Sequence, residues 1–484
     1  MSRVGRLLAL LCTLVAGDAV AAAEYAPDIS TDSSPQRLVL ALDGVPYQLF
    51  VDLQKQGHFA SYHPAARMVS TFPSLTDVSF AAIGGGPLPD GYQHMRFDTL
   101  QNKVVGNTLG SLSSRAHPNL QADSSSHASW HRMIGYMAAY HLALHDLNEI
   151  GRDVLRSRKQ TFIAYLEDTD ALLHVEGRPG AEKFLLHLDV FLQDLQAKVR
   201  ARTGRELLVD IVSDHGSTMV KGRVVPVEKL LRECGFRRRN RMLEPYDVAY
   251  SLAGIIGAVA ITVVPEHAEE VARCLAGAEG VDLVAVARAD AVGVLTADGE
   301  AEVRLDSTGP ERYAYRVLRG DPLDLLHGSG IAERKFDEAS LFLKTRAAPR
   351  PDPLLRLWRA FHGAVKEPSP VLVSLADGYE AGNAEVRALA RIRGRAGTHG
   401  SMTSLASLGV FASNWREVDD VNSWSAHDAL FGVDTLGAMQ RAIATRGMGG
   451  SSACACALAI TPSVPVVSPF PRPSFPPAQI PGPH

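Results

Sequence analysis

The chain is predicted to be an α/β protein, a doubly wound and mainly parallel sheet with helices on both faces and an inserted α+β cap. Three observations predict this. Compact apolar runs of strand length recur at Arg37 to Leu42, Thr161 to Leu166 and Leu207 to Val212, and such runs suit strands buried on both faces of a parallel sheet. Long apolar-periodic stretches, Trp130 to Arg156 and Ala181 to Arg202, alternate with them, and that alternation is the signature of a doubly wound fold. The character then changes, and short β-like runs separated by turns fill roughly residues 222–350.

The elements follow in chain order. Arg3 and Arg6 precede an apolar run from Leu7 to Ala16, which ends in the small residues Ala21-Ala22-Ala23. That run is well short of the roughly 20 residues a bilayer span needs, so 1–23 reads as a cleaved export signal. No later stretch is long and apolar enough to span, so the mature chain is expected to carry no stable membrane span and to be periplasmic or secreted. Residues 37–221 are read as the first part of a catalytic core. Within 222–350, Val259 to Val264, Val281 to Val286, Ala291 to Thr296 and Glu302 to Asp306 read as strands of the cap. Residues 351–446 are read as the second part of the core, with a helix at Leu354 to Val365, a return strand at Val371 to Ser374, a strand at Ser404 to Ser413 and a closing helix at His427 to Thr445. Residues 447–484 turn Gly-, Ser- and Pro-rich and read as a disordered tail.

Composition narrows the function. Lys and Arg total 49 against 53 Asp and Glu in 484 residues, a formal net charge of −4. With no basic excess, a nucleic-acid scaffold is excluded on charge grounds. Outside the leader the Cys residues are Cys234, Cys274, Cys454 and Cys456. None reads as a metal ligand, and export would permit a Cys234–Cys274 disulfide.

The chemistry lies in the placement of Asp and His. Asp43 ends the first strand, and Asp214-His215-Gly216 ends the strand at 207–212. Asp170 follows the strand at 161–166, with His174 four residues on, and His399 lies in Gly397-Thr398-His399-Gly400. In an open α/β sheet, ligands bind at the carboxyl ends of the strands. Carboxylate and imidazole together suit Zn²⁺ or a similar divalent ion, and six such groups suffice for two ions.

In order, Leu40-Ala41-Leu42-Asp43-Gly44-Val45, Ser70-Thr71-Phe72-Pro73-Ser74, Tyr165-Leu166-Glu167-Asp168-Thr169-Asp170 with His174, Ser213-Asp214-His215-Gly216 and Gly397-Thr398-His399-Gly400 resemble the alkaline phosphatase superfamily, in its type I phosphodiesterase/nucleotide pyrophosphatase branch. Where relatives carry Asn-His after Thr-Phe-Pro, this chain has Ser74-Leu75. The resemblance implies an alkaline phosphatase-like fold and two divalent ions, Zn²⁺ first among them. Asp43, Thr71, Asp214 and His215 would ligate one ion, and Asp170, His174 and His399 the other. It implies Thr71 as the nucleophile, phosphorylated in turnover, on a small-molecule phosphodiester or pyrophosphate. Asn102 and Asn107 are the candidates for contacting phosphoryl oxygens. Two other readings stand beside this one: a phosphomonoesterase or phosphonate hydrolase on the same site, and a non-catalytic binding protein that keeps the fold.

Overall fold

The computed structural model describes residues 36–106, 120, 122–125, 129–250, 252, 254–306, 312–382, 396–435, 437 and 439. The export signal, the tail and Asn107 lie outside these residues.

The central strand β1 (Gln36–Leu42) is buried along its whole length. Its side chains alternate between faces, as strand geometry requires. Leu38, Leu40 and Leu42 enter one apolar cluster, and Val39 and Ala41 enter another. There follow α1 (Tyr47–Lys55), β2 (Ala66–Val69), α2 (Thr76–Gly84), β3 (Ser124–Ser125), α3 (Ser129–Arg156), β4 (Thr161–Leu166), α4 (Asp168–Val175), α5 (Gly177–Thr203) and β5 (Leu207–Ser213).

A second group of strands comes next: β6 (Arg237–Arg238), β7 (Asp247–Tyr250), β8 (Ala258–Thr262), then α6 (Ala268–Ala276), β9 (Val281–Ala287), β10 (Val292–Leu295), β11 (Glu300–Leu305), β12 (Tyr313–Arg319) and β13 (Glu333–Phe336). The helix α7 (Pro353–Phe361) and β14 (Val371–Leu375) complete it. The chain then returns through β15 (Leu408–Ser413), β16 (Val421–Asn422) and α8 (Ser423–Phe431).

Two sheets result. The seven-stranded sheet has the order β16-β2-β15-β5-β1-β4-β3. β1 runs parallel to β4 and β5, and β15 is antiparallel to both its neighbours. Leu49, Phe50 and Leu53 of α1 and the apolar faces of α3, α4 and α5 cover one side. Phe80 and Ile83 of α2 and Ala426 and Leu430 of α8 cover the other. The fold is the doubly wound, mainly parallel α/β sheet expected from the sequence.

The second sheet has nine strands in the order β13-β12-β11-β10-β9-β14-β8-β7-β6. Here the expected boundary moves. The sequence predicts Val371 to Ser374 as a return strand of the core, but β14 pairs antiparallel with β8 and β9 inside the second sheet. A run that is apolar on both faces does not say which sheet it joins. The stretch Ser404 to Ser413, read as one strand, is a short helix at Ser404–Ser407 followed by β15. Cys234 and Cys274 form a disulfide, with their Cα atoms 6.3 Å apart.

Candidate metal centre

The register of the parallel strands builds the site. Leu42 of β1 stands level with Leu166 of β4 and Ser213 of β5. Residues that follow those positions therefore leave the sheet at one edge, and Asp43 and Asp214 do so side by side. The Gly44 N–H donates to Asp214 Oδ1 at 3.1 Å, and the Tyr165 hydroxyl donates to Asp43 Oδ2 at 2.5 Å. The Thr169 hydroxyl ties the Asp43 carbonyl to the start of α4 at 2.6 Å. On α4, Asp170 and His174 are one turn apart on one face, with His174 Nε2 3.1 Å from Asp170 Oδ2. Gly44 permits this crowding. It has a left-handed φ of +71°, and a Cβ there would lie 3.0 Å from Asp170 Oδ1 and 3.1 Å from His215 Cε1.

His399 arrives from the other side. Its carbonyl accepts from the Gly257 N–H at 2.5 Å, beside a bridge between His399 and Ile256. Its ring stacks on His215 with centroids 3.9 Å apart and planes nearly parallel at 7°. His399 Nε2 lies 3.6 Å from Asp170 Oδ1.

The three imidazoles share one arrangement. Nδ1 of His174 faces the Gly397 carbonyl, Nδ1 of His215 the Gly216 carbonyl and Nδ1 of His399 the Ser74 carbonyl, each at 2.9 Å. A carbonyl only accepts, so Nδ1 carries the proton in every case. In the neutral ring Nε2 then presents a lone pair toward the carboxylates, which is how protein imidazoles are oriented on metals. His215 Nε2 lies 3.4 Å from both Asp43 Oδ1 and Asp214 Oδ2.

Lone pairs facing lone pairs call for a cation between them, a proton or a metal ion. Asp170 Oδ1 and Asp214 Oδ2 are buried and accept no hydrogen bond, a costly condition unless an ion satisfies them. Two sets of ligand atoms are close enough to share an ion, Asp43 with Asp214 and His215, and Asp170 with His215 and His399, each within 4.8 Å. His174 joins the second through Asp170. The residues present therefore fit a pair of divalent ions, with His215 between the two positions.

The electrostatics agree. Burial opposes a charged His215, but Asp214 and Asp43 outweigh it and lift the ring to about 10. Burial, with His215 beside it, takes His399 down to about 3. Burial raises Asp214 to about 7 against the pull of His215. Burial also works against an ionised Asp170, yet His174 and His399 hold it well below the usual carboxylate range. Groups of the same type are driven in opposite directions within one pocket, the pattern expected where charge is to be supplied by a ligand.

The expected ligands Asp43, Asp170, His174, Asp214, His215 and His399 are thus brought together. Thr71 is placed differently. It is fully buried, and its hydroxyl donates to the Pro73 carbonyl and meets the Ser79 hydroxyl, each at 2.9 Å. Thr76 holds the position expected of Thr71. It opens α2, is partly exposed, and its Oγ1 lies 3.3 Å from both Asp43 Oδ1 and His215 Nε2. The sequence carried the signal, because Thr76 begins the helix and only the first residues of a helix face an anion with free N–H groups. Asn102 is engaged elsewhere. Its Nδ2 donates to the Met242 carbonyl and its Oδ1 accepts from the Met242 N–H, at 2.9 and 3.1 Å.

No known protein family's profile matches the chain, and no curated protein does. Among solved structures it is similar to murine ectonucleotide pyrophosphatase/phosphodiesterase 5, in an inactive form in complex with AMP, at 13% identity over 84% of this chain and 95% of that one, with a TM-score of 0.47. A second structure of the murine protein matches at 13% identity over 82% and 94%, with a TM-score of 0.45. The human counterpart matches at 14% over 82% and 93%, with a TM-score of 0.44. Likeness at this level leaves the functional reading to the side chains.

Proposed function

We propose that this protein is an exported, metal-dependent phosphoester hydrolase that cleaves phosphodiester or pyrophosphate bonds, with Thr76 rather than Thr71 as its nucleophile. The observation that carries the reading is the Thr76 hydroxyl at a helix start, 3.3 Å from two groups of a cation-binding cluster. Asp43, Asp214 and His215 would hold one ion and Asp170, His174 and His399 the other. Bound divalent ions, with Zn²⁺ the first candidate for this oxygen and nitrogen donor set, would ease loss of the threonine proton and neutralise phosphoryl oxygen charge.

The chain's own residues supply the rest. Thr76 Oγ1 attacks phosphorus, the bond to the leaving oxygen breaks, and Thr76 carries the phosphoryl group until water releases it. The Thr76 hydroxyl donates to Asp43 Oδ1, the acceptor placed to take up its proton. The free N–H groups and the dipole at the start of α2 favour the anionic group that accumulates there. Tyr165, which burial and then Asp43 push well above the usual phenol range, stays protonated and keeps donating to Asp43.

Export rests on the N-terminal pattern and on the Cys234–Cys274 disulfide, which suits an oxidising compartment. Among the described residues, no helix is long and apolar enough to cross a membrane.

The test is a panel of chromogenic phosphoesters followed by acid quench and fragmentation mass spectrometry. The reading expects faster turnover of the p-nitrophenyl diester than of the monoester, and phosphate on Thr76. Faster monoester turnover would favour the phosphomonoesterase reading, and no turnover with added metal would favour a binding protein.

A further inference from the structure

Resting on the hydrolase reading, we propose that Arg356 is a positioning residue, holding the segment before Thr76 against the loop that carries His399 so that nucleophile and metal ligand keep one relative geometry. Arg356 lies on α7 and is fully buried. Its guanidinium makes five hydrogen bonds, all to backbone carbonyls and serine hydroxyls. Nη1 donates to the carbonyls of Pro351 and Met402 at 2.9 and 3.2 Å. Nη2 donates to the Thr71 carbonyl at 3.0 Å, to Ser74 Oγ at 3.0 Å and to Ser407 Oγ at 2.7 Å. One planar group thereby joins the start of α7, the approach to α2 and the loop between His399 and β15.

Ser74 is where this hub meets the chemistry. Its carbonyl accepts the His399 Nδ1 proton at 2.9 Å, and its N–H donates to the Gly400 carbonyl at 3.0 Å. Its hydroxyl also reaches the Ser401 carbonyl at 3.0 Å. Thr76 is two residues further along. A shift of Ser74 therefore rotates the His399 ring and moves the start of α2 together.

Stability alone does not account for this arginine. A buried cation serving neutral acceptors carries a desolvation cost that an apolar side chain in the same place would avoid. Leu354, Leu355, Leu357 and Ala360 around it on α7 are buried and apolar, and Asp352 at the helix start is buried with them. What the guanidinium adds is a rigid fork with donors in fixed directions, which a lysine ammonium lacks. Burial lowers its pKa to about 9, so it remains a cation at neutral pH.

The experiment compares Arg356→Met and Arg356→Lys in the full-length, metal-loaded protein. It measures kcat and KM on a p-nitrophenyl phosphodiester, bound metal per chain, and the His399 Nδ1–H resonance in histidine-labelled protein. Arg356→Met is expected to lower kcat about 100-fold, since small misplacements near reacting atoms cost that much. KM should move less than about threefold. The His399 resonance should shift, and Arg356→Lys should recover part of kcat. Turnover within about twofold of wild type per folded, metal-loaded chain, with the resonance unmoved, would overturn the proposal. Should Arg356→Met fail to fold, Ser74→Ala combined with Ser407→Ala removes two acceptors of Nη2 and is expected to lower kcat about tenfold; unchanged kcat overturns it equally. A wild type that turns over no phosphoester contradicts the hydrolase reading instead. The resonance still decides the role of Arg356 then, because it is read without substrate.

Discussion

The two sheets treat charge in opposite ways. On the nine-stranded sheet the interior is apolar, with Leu283, Val292, Val294, Ala301 and Val303 fully buried, and the charges sit toward the surface in opposite-signed sets. Arg288 there reaches Glu269, Glu300 and Glu302 at 2.5, 2.8 and 3.0 Å. At the edge of the seven-stranded sheet, three carboxylates and three imidazoles crowd together, most of them buried, and two carboxylate oxygens accept no hydrogen bond. The Arg288 set satisfies itself. The second is satisfied only by something added, which separates a scaffold from a site. A third pattern appears where the two meet. The side chains of Arg356 and Asp352 are buried at the start of α7, and each bonds neutral groups of the neighbouring segments.

The sharpest way to break this comparison is to remove each threonine hydroxyl in turn. Thr76→Ala should abolish turnover, a loss of at least about 1,000-fold on the diester, because among the described residues its hydroxyl is the one placed against both Asp43 and His215. Thr71→Ala should retain turnover within about tenfold, since its hydroxyl bonds only Pro73 and Ser79. The opposite order would return the nucleophile to Thr71.

A smaller effect tests the crowding. Gly44→Ala sets a methyl group against Asp170 and His215 in a left-handed backbone position. It should lower activity about 100-fold while costing only about 1–2 kcal/mol of backbone strain. Parallel activity assays and denaturant titration separate the two, and activity surviving intact would mean those ligands tolerate displacement.

The smallest effect concerns the junction. Burial pushes Asp352 up to about 7, although Asn422 donates to it. Between the ordinary carboxylate value and that pH, the folded chain keeps a proton that the unfolded chain has lost. Stability from this group is therefore full at acid pH, falls as pH rises through the window, and is level above about 7. Asp352→Asn keeps an acceptor for Asn422 and tolerates the positive φ of 44°. It should be more stable than wild type by a few kcal/mol, roughly, at pH 8 and little different near pH 4. Urea unfolding at the two pH values measures this, and equal differences at both would show that folding leaves the Asp352 pKa unshifted.

Much of the site was legible in the sequence because local pattern and chemistry coincide there. A buried strand ending in Asp43, another ending in Asp214-His215, and Asp170 with His174 at helical spacing each announce themselves, and parallel register brings them level. The nucleophile was harder. The string Thr71-Phe72-Pro73 points to the first threonine, whereas the hydroxyl beside Asp43 and His215 belongs to the residue that begins the helix. Val371–Leu375 joined the other sheet because apolarity does not encode a pairing partner. Arg356 was invisible, since an arginine among leucines reads as the polar stripe of an amphipathic helix until its burial is known.

Metal stoichiometry tests the central claim most directly. The purified wild-type protein, equilibrated with Zn²⁺ and desalted, should carry two ions per chain by elemental analysis, in keeping with its two ligand sets. Asp214→Asn should weaken the set it shares with Asp43, and His399→Ala the set it shares with Asp170. Each single variant is expected to keep one ion. A wild type that binds none, or a His399→Ala variant that keeps both, would contradict the account.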